Sequence, residues 1–130
     1  MVKEEIRTEK APKAIGPYSQ GVRIGRFLFL SGQIPVEPLS GELVEGDVGV
    51  QTRQVLKNLQ SVLEGSGASL RDVVKTTVFL KDLAAFSEMN AVYGEFFTKP
   101  YPARATVGVA GLPKGAAVEI DAIAVVGDDI

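Results

Sequence analysis

No cysteine, histidine or tryptophan occurs in the 130 residues. Without thiols there can be no disulfide, no thiolate nucleophile and no zinc–thiolate centre. Without imidazole the commonest general base and metal ligand is missing, and with it every Ser-His-Asp arrangement. Basic excess is missing too. The 14 Lys and Arg stand against 16 Asp and Glu, a net charge of −2, which leaves no electrostatic footprint for nucleic acid or an anionic membrane. No apolar run approaches a membrane span, and the start Met1-Val2-Lys3-Glu4-Glu5-Ile6 is too charged for a signal peptide. A soluble, cytoplasmic protein is therefore expected. Any catalysis must run on carboxylate, guanidinium, amine, phenol, hydroxyl, amide or backbone groups.

What is present is an ordinary globular composition, 45% hydrophobic and 23% charged. The chain is long enough for one core, so residues 1–130 read as a single domain. Residues 3–8 alternate weakly as a first strand, and residues 11–19, with Pro12, Gly16 and Pro17, form a loop. Gln20 to Ile24 and Phe27 to Ser31 are short strands, joined through Gly25-Arg26 as a type II′ hairpin. Gly32 to Gly46 is a long loop, of a length that is often functional. Asp47 caps a helix to about Glu64, with Val55, Leu56, Leu59, Val62 and Leu63 on one face and Arg53, Lys57, Gln60 and Glu64 opposite. Val73 to Leu80 is a strand by its Val, Thr and Phe content. Asp82 caps a second helix to Phe97, with Phe86, Met89, Tyr93, Phe96 and Phe97 together, before Pro100 and Pro102. Residues 104–109 and 118–126 are the last strands, and the tail from Gly127 to Ile130 is loose.

The order βββαβαββ predicts an α+β fold, one mixed sheet of about six strands with two helices packed on one face. Phe27-Leu28-Phe29-Leu30 and Val78-Phe79-Leu80 offer nothing polar to water on either side. Two helices cover one face only, so the other is expected to meet a second copy of the chain.

Two ionisable groups sit near the starts of the last two apolar strands, Arg104 in Ala-Arg-Ala-Thr-Val and Glu119 in Val-Glu-Ile-Asp-Ala. A charge beside a buried strand is costly unless it is paired. Arg104 offers a planar fork that fits a carboxylate, and Glu119 can orient or deprotonate a water. Two readings follow from spacing: a pocket for a small carboxylate with a water-handling group, or an internal Arg104–Glu119 salt bridge between neighbouring strands.

Five segments, in order, narrow the choice: Ile15-Gly16-Pro17-Tyr18-Ser19-Gln20-Gly21, Ser31-Gly32-Gln33-Ile34-Pro35, Val74 to Leu83, Pro102-Ala103-Arg104, and Leu112-Pro113-Lys114 through Val118-Glu119-Ile120. Together they resemble the RidA (YjgF-like) reactive intermediate deaminase family over residues 8–126. The resemblance implies a chorismate-mutase-like fold and a homotrimer with sites in clefts between subunits. It implies hydrolysis of 2-imino acids or their enamine tautomers, such as 2-aminoacrylate and 2-iminobutyrate, to 2-oxo acids and ammonia, without a cofactor or metal. Carried over, Arg104 would clamp the substrate carboxylate and Glu119 would hold the attacking water. Tyr18 would line the pocket, Ser31 and Gly32 would lie near the ligand, and Asn90 would stand at the edge. Thr106 departs from the many relatives with Cys at that position, and chemistry that needs no thiol tolerates it.

The same residues also have plainer explanations. Tyr18 can merely pack its ring, Ser31 can be a turn former and Gln33 a loop hydrogen-bonder. Asn90, poorly suited to a helix interior, suggests a buried hydrogen-bonding role. Asp121 shares a strand face with Glu119 and rivals it for the carboxylate role. Lys75 can be a Schiff-base candidate or a structural charge. Alternatives to a deaminase are a non-catalytic 2-oxo acid binding module and a ribonuclease or translation inhibitor. The acidic balance and lack of histidine speak against the last.

Overall fold

Residues 118–125 alternate buried and half-buried at every step, the period-2 mark of a strand with one face on a core. This strand lies inside the sheet and organises the rest. The computed structural model describes residues 2–127. Along it run β1 (Glu4–Ile6), β2 (Gly21–Ile24), β3 (Phe27–Gln33), α1 (Val48–Gly65), β4 (Val73–Leu80), α2 (Phe86–Phe96), β5 (Ala103–Gly108) and β6 (Val118–Val125). The strands form one six-stranded sheet in the order β1-β2-β3-β6-β4-β5. Only β4 and β5 pair in parallel; the other neighbours are antiparallel. The α+β expectation holds, and so does the element order.

Both helices lie on one side. Leu28 and Leu30 of β3, Val78 and Leu80 of β4, and Val118, Ile120, Ala122 and Ala124 of β6 point to that side and are buried. They meet Val55, Leu56, Leu59, Val62 and Leu63 of α1 and Met89 and Tyr93 of α2 in one core. The apolar face predicted for α1 is thus the buried one. The Asp47 side chain accepts from the Val50 amide, as an N-cap should, and Gly67 follows the helix at φ 82°.

Several boundaries moved, each for a local reason. β3 runs past Ser31, its expected end, to take in Gly32 and Gln33 from the long loop, because the strand regains its pairing at Gln33–Ile120 after an irregularity. Asp82 caps a 3₁₀ turn at Leu83–Ala85, and the α-helix proper starts at Phe86 and ends at Phe96. A second short 3₁₀ turn, Leu70–Asp72, is fixed by a reciprocal Ser69–Asp72 capping box. The Gly25-Arg26 hairpin has positive φ at Gly25 alone, as a type II′ turn requires. Of the tail expected to be loose, residues 128–130 lie outside the described residues.

The face away from the helices is open, and it is apolar around β2 and β3. Phe27 and Phe29 are 50% and 44% exposed there, with Val22, Ile24, Phe79, Ile123 and Val125 half-buried around them. No helix among the described residues is long and apolar enough to cross a membrane.

Leu59, 1% exposed, sits where α1 meets the sheet. Leu59→Ala should lower unfolding free energy by about 2–5 kcal/mol through lost burial and a residual cavity. Urea denaturation at matched protein concentration measures it, and a loss below about 1 kcal/mol would contradict the packing described.

Candidate active site

Strand alternation sends the two ionisable residues to opposite sides of the sheet. Arg104 on β5 stands in register with Thr76 of β4. Thr76 is fully buried on the helix side, where its hydroxyl meets the Tyr93 hydroxyl at 2.8 Å. Glu119 on β6 pairs with Phe79, one step out of phase with buried Ile120, so it faces the open side. The sheet separates them, and a salt bridge within one chain is excluded.

On the helix side, α2 builds a seat for the guanidinium. Phe86, Asn90 and Tyr93 are spaced i, i+4, i+7 and so share a helix face. The Arg104 Cζ lies 4.8 Å from the Tyr93 ring centroid and 5.5 Å from that of Phe86, within cation–π range. Arg104 Nη1 donates to Asn90 Oδ1 at 2.7 Å. A guanidinium has donors only, so the amide must present its oxygen, and Asn90 Nδ2 remains for something else. No described residue accepts from Arg104 Nη2 or Nε, which leaves an edge suited to bidentate carboxylate binding. Arg104 lines a cavity of about 420 Å³ with Asn90, Tyr93, Gly94, Tyr101 and Pro102. Thr106, two residues on, shares this face in register with Val78.

On the open side the second group gathers around Glu119. Its carboxylate lies directly over Gly32; a Cβ built on that glycine would overlap Glu119 Oε2 and stand 3.0 Å from Cδ. Any side chain there would have to displace the carboxylate from this position. Ser31, next to it, donates its hydroxyl to Ser19 O at 2.6 Å, tying β3 to the loop that carries Tyr18. Tyr18 Oη accepts from the Ile15 amide, closing that loop, and Tyr18 and Gly32 border a cavity of about 490 Å³. Burial pushes the Glu119 carboxyl above its ordinary range, and the Asp121 charge adds to the shift. Asp121 shares the face with Glu119, opposite Thr77, while Lys75 is half-buried opposite Ile123. Gln33, expected as a loop hydrogen-bonder, is a buried residue inside β3.

Within one chain, then, Arg104 comes together with Asn90, and Glu119 with Gly32, Ser31 and Tyr18 nearby. Sequence reasoning placed Phe86 and Tyr93 in the core stripe and missed their contact with Arg104. Tyr93 is core as well, but Phe86 is 38% exposed. Their spacing with Asn90 on one helix face was the available signal.

Comparison with known proteins adds the lineage. The family profile described as Endoribonuclease L-PSP matches residues 8–126. The chain belongs to the RidA (YjgF-like) family. It is 46% identical over 127 residues to the human protein named 2-iminobutanoate/2-iminopropanoate deaminase, covering 98% of this chain and 93% of that one. A crystal structure of a Thermotoga maritima protein, titled a putative endoribonuclease, superposes with a TM-score of 0.95 at 50% identity, covering 98% and 100% of the two chains. E. coli TdcF with bound serine superposes with a TM-score of 0.90 at 46% identity, covering 95% and 99%. This RidA-family chain shares the fold of both.

The raised Glu119 pKa has a thermodynamic sign. The folded state binds the proton more tightly than the unfolded chain, so this group's contribution to stability falls as pH rises through the interval between the two pKa values. Glu119→Gln should therefore melt higher than the natural protein at pH 7. The gap should close as pH drops below the unfolded carboxylate range. Paired thermal scans across pH test this, and a gap that widens toward acid would refute the assignment.

Proposed function

We propose that this protein hydrolyses 2-imino acids, or their enamine tautomers, to 2-oxo acids and ammonia, in sites that form between subunits of a homotrimer. The observation that carries the reading is the division of labour across the sheet. One side offers an arginine edge shaped for a carboxylate, the other a proton-hungry carboxylate beside a glycine-lined opening. One chain cannot bring both to a single small substrate. Two copies can, if the Arg104 side of one docks against the Glu119 side of the next. The exposed Phe27 and Phe29 supply an apolar surface for association, and closed cyclic symmetry repeats one such contact around an axis.

In that cleft the Arg104 edge would hold the substrate carboxylate, fixing the imine carbon relative to the water. Orientation of this kind supplies part of what an intramolecular reaction gains, up to about 7–11 kcal/mol in ideal cases. Glu119 would take a proton from water as its oxygen attacks the C=N carbon. Glu119 would return that proton to nitrogen and then carry the adduct's hydroxyl proton to the leaving amine. Collapse of the tetrahedral adduct forms C=O and breaks C–N, releasing ammonia. A carboxylate whose pKa is pushed toward neutrality is the better base for this shuttle. Asn90 Nδ2 stands beside Arg104 as a further donor to the carboxylate. Support also comes from the name of the human relative and from TdcF, whose bound serine carries a carboxylate.

The nuclease name attached to the family profile finds no favouring feature here: the net charge is −2 and there is no histidine to act as base.

Arg104→Ala should abolish 2-oxo acid binding, and Glu119→Gln should retain binding while slowing 2-iminobutanoate hydrolysis about 10²–10⁴-fold. Mixing the two inactive variants under subunit exchange should restore about one quarter of natural activity, since random assembly gives that share of clefts both natural side chains. Ammonia release is the readout. No recovery after verified exchange would place both residues in one subunit's site and sink the shared cleft. Binding without any turnover in the natural protein would leave a binding module instead.

A further inference from the structure

Thr76 and Tyr93 pair their hydroxyls at 2.8 Å inside the core, at 0% and 6% exposure. Stability does not call for this pair. Valine and phenylalanine would fill the same volume, and replacing both partners of a buried hydrogen bond by apolar groups of matching shape is close to neutral. What the pair does is fix the Tyr93 ring. The Phe97 ring, centroids 4.6 Å apart, packs against it, and the hydroxyl anchors its far end to β4. The Arg104 Cζ rests 4.8 Å from this ring's centroid.

We propose that Tyr93, held by Thr76, is a positioning residue for Arg104: it fixes where the guanidinium lies, so that the Nη2–Nε edge is presented to the ligand's carboxylate in one orientation. The proposal rests on the reading of Arg104 as the carboxylate clamp. Three points converge on it. Thr76 and Arg104 are register partners on adjacent parallel strands, so the hydroxyl that anchors the ring sits beside the backbone that carries the arginine. Asn90 Oδ1 accepts from Nη1 at 2.7 Å, while the Tyr93 ring backs the Cζ. Phe86, at 5.5 Å and only partly covered, extends the seat without being locked itself. The guanidinium is thus held by one hydrogen bond and two rings, all from α2, leaving one free edge.

The test compares three proteins: the natural chain, the paired substitution Thr76→Val with Tyr93→Phe, and Tyr93→Leu. The paired substitution keeps shape and leaves no orphaned hydroxyl, so it should melt within a few degrees of the natural protein and yet raise KM for 2-iminobutanoate about 3–10-fold with kcat within about two-fold. Tyr93→Leu removes the ring and should raise KM about 10-fold or more. In ligand-free protein, ¹⁵N relaxation of the Arg104 Nε–H should show an ordered group in the natural chain and a mobile one in Tyr93→Leu. Unchanged Arg104 order in both variants overturns the inference, as does a kcat loss at constant KM. Arg104 loosened with 2-oxobutanoate affinity unchanged would uphold the positioning and overturn the clamp reading on which it rests.

Discussion

The parallel register of β4 and β5, with Thr76 opposite Arg104, is the constraint on which the seat of the guanidinium depends. Side chains on a strand alternate, so a slip of one residue would carry Arg104 across to the open face and every neighbour with it. Burial fixes the β4 side of this pairing. Thr76, Val78 and Leu80 are all fully buried under the helices, and shifting β4 would expose them while forcing Lys75 and Thr77 inward. Given the observed register of β5 on β4, the packing of β4 sets the side on which the guanidinium lies. Glu119 is fixed to the other side by the same rule acting on β6, through buried Val118 and Ile120.

Much of this was legible beforehand. The spacing of apolar residues in α1 is a strong signal because it is long and one face is buried. Arg104 and Glu119 stood out because charge is expensive beside apolar strands. Their separation by the sheet was not legible, since it depends on which face of β5 follows β4, a tertiary fact. The extension of β3 through Gly32 was hidden as well. Glycine ordinarily weakens a strand, and here it is present because the Glu119 carboxylate occupies the space of its missing side chain.

Buried amides hold the loops in place. Gln20 accepts from the Thr8 amide and donates to the carbonyls of Thr8, Ala11 and Pro12, fastening the segment that leads to Tyr18. Asn58 donates to Ile34 O and Val36 O, securing the start of the long loop after β3. Such buried amides cost little because each polar atom finds a hydrogen-bond partner. They turn irregular chain into a rigid wall without regular secondary structure.

Gln51 goes one step further. From a single position in α1 it donates to Val44 O and accepts from the Ala117 amide. Those contacts lie at the ends of the two segments, 33–44 and 113–117, that face each other across the cavity beside Tyr18. The two banks are moored to one post. Neither can drift outward on its own, so the width of the channel between them is set from inside the helix layer, while residues at its lip such as Leu39, 93% exposed, are left to vary in size and polarity without altering the span.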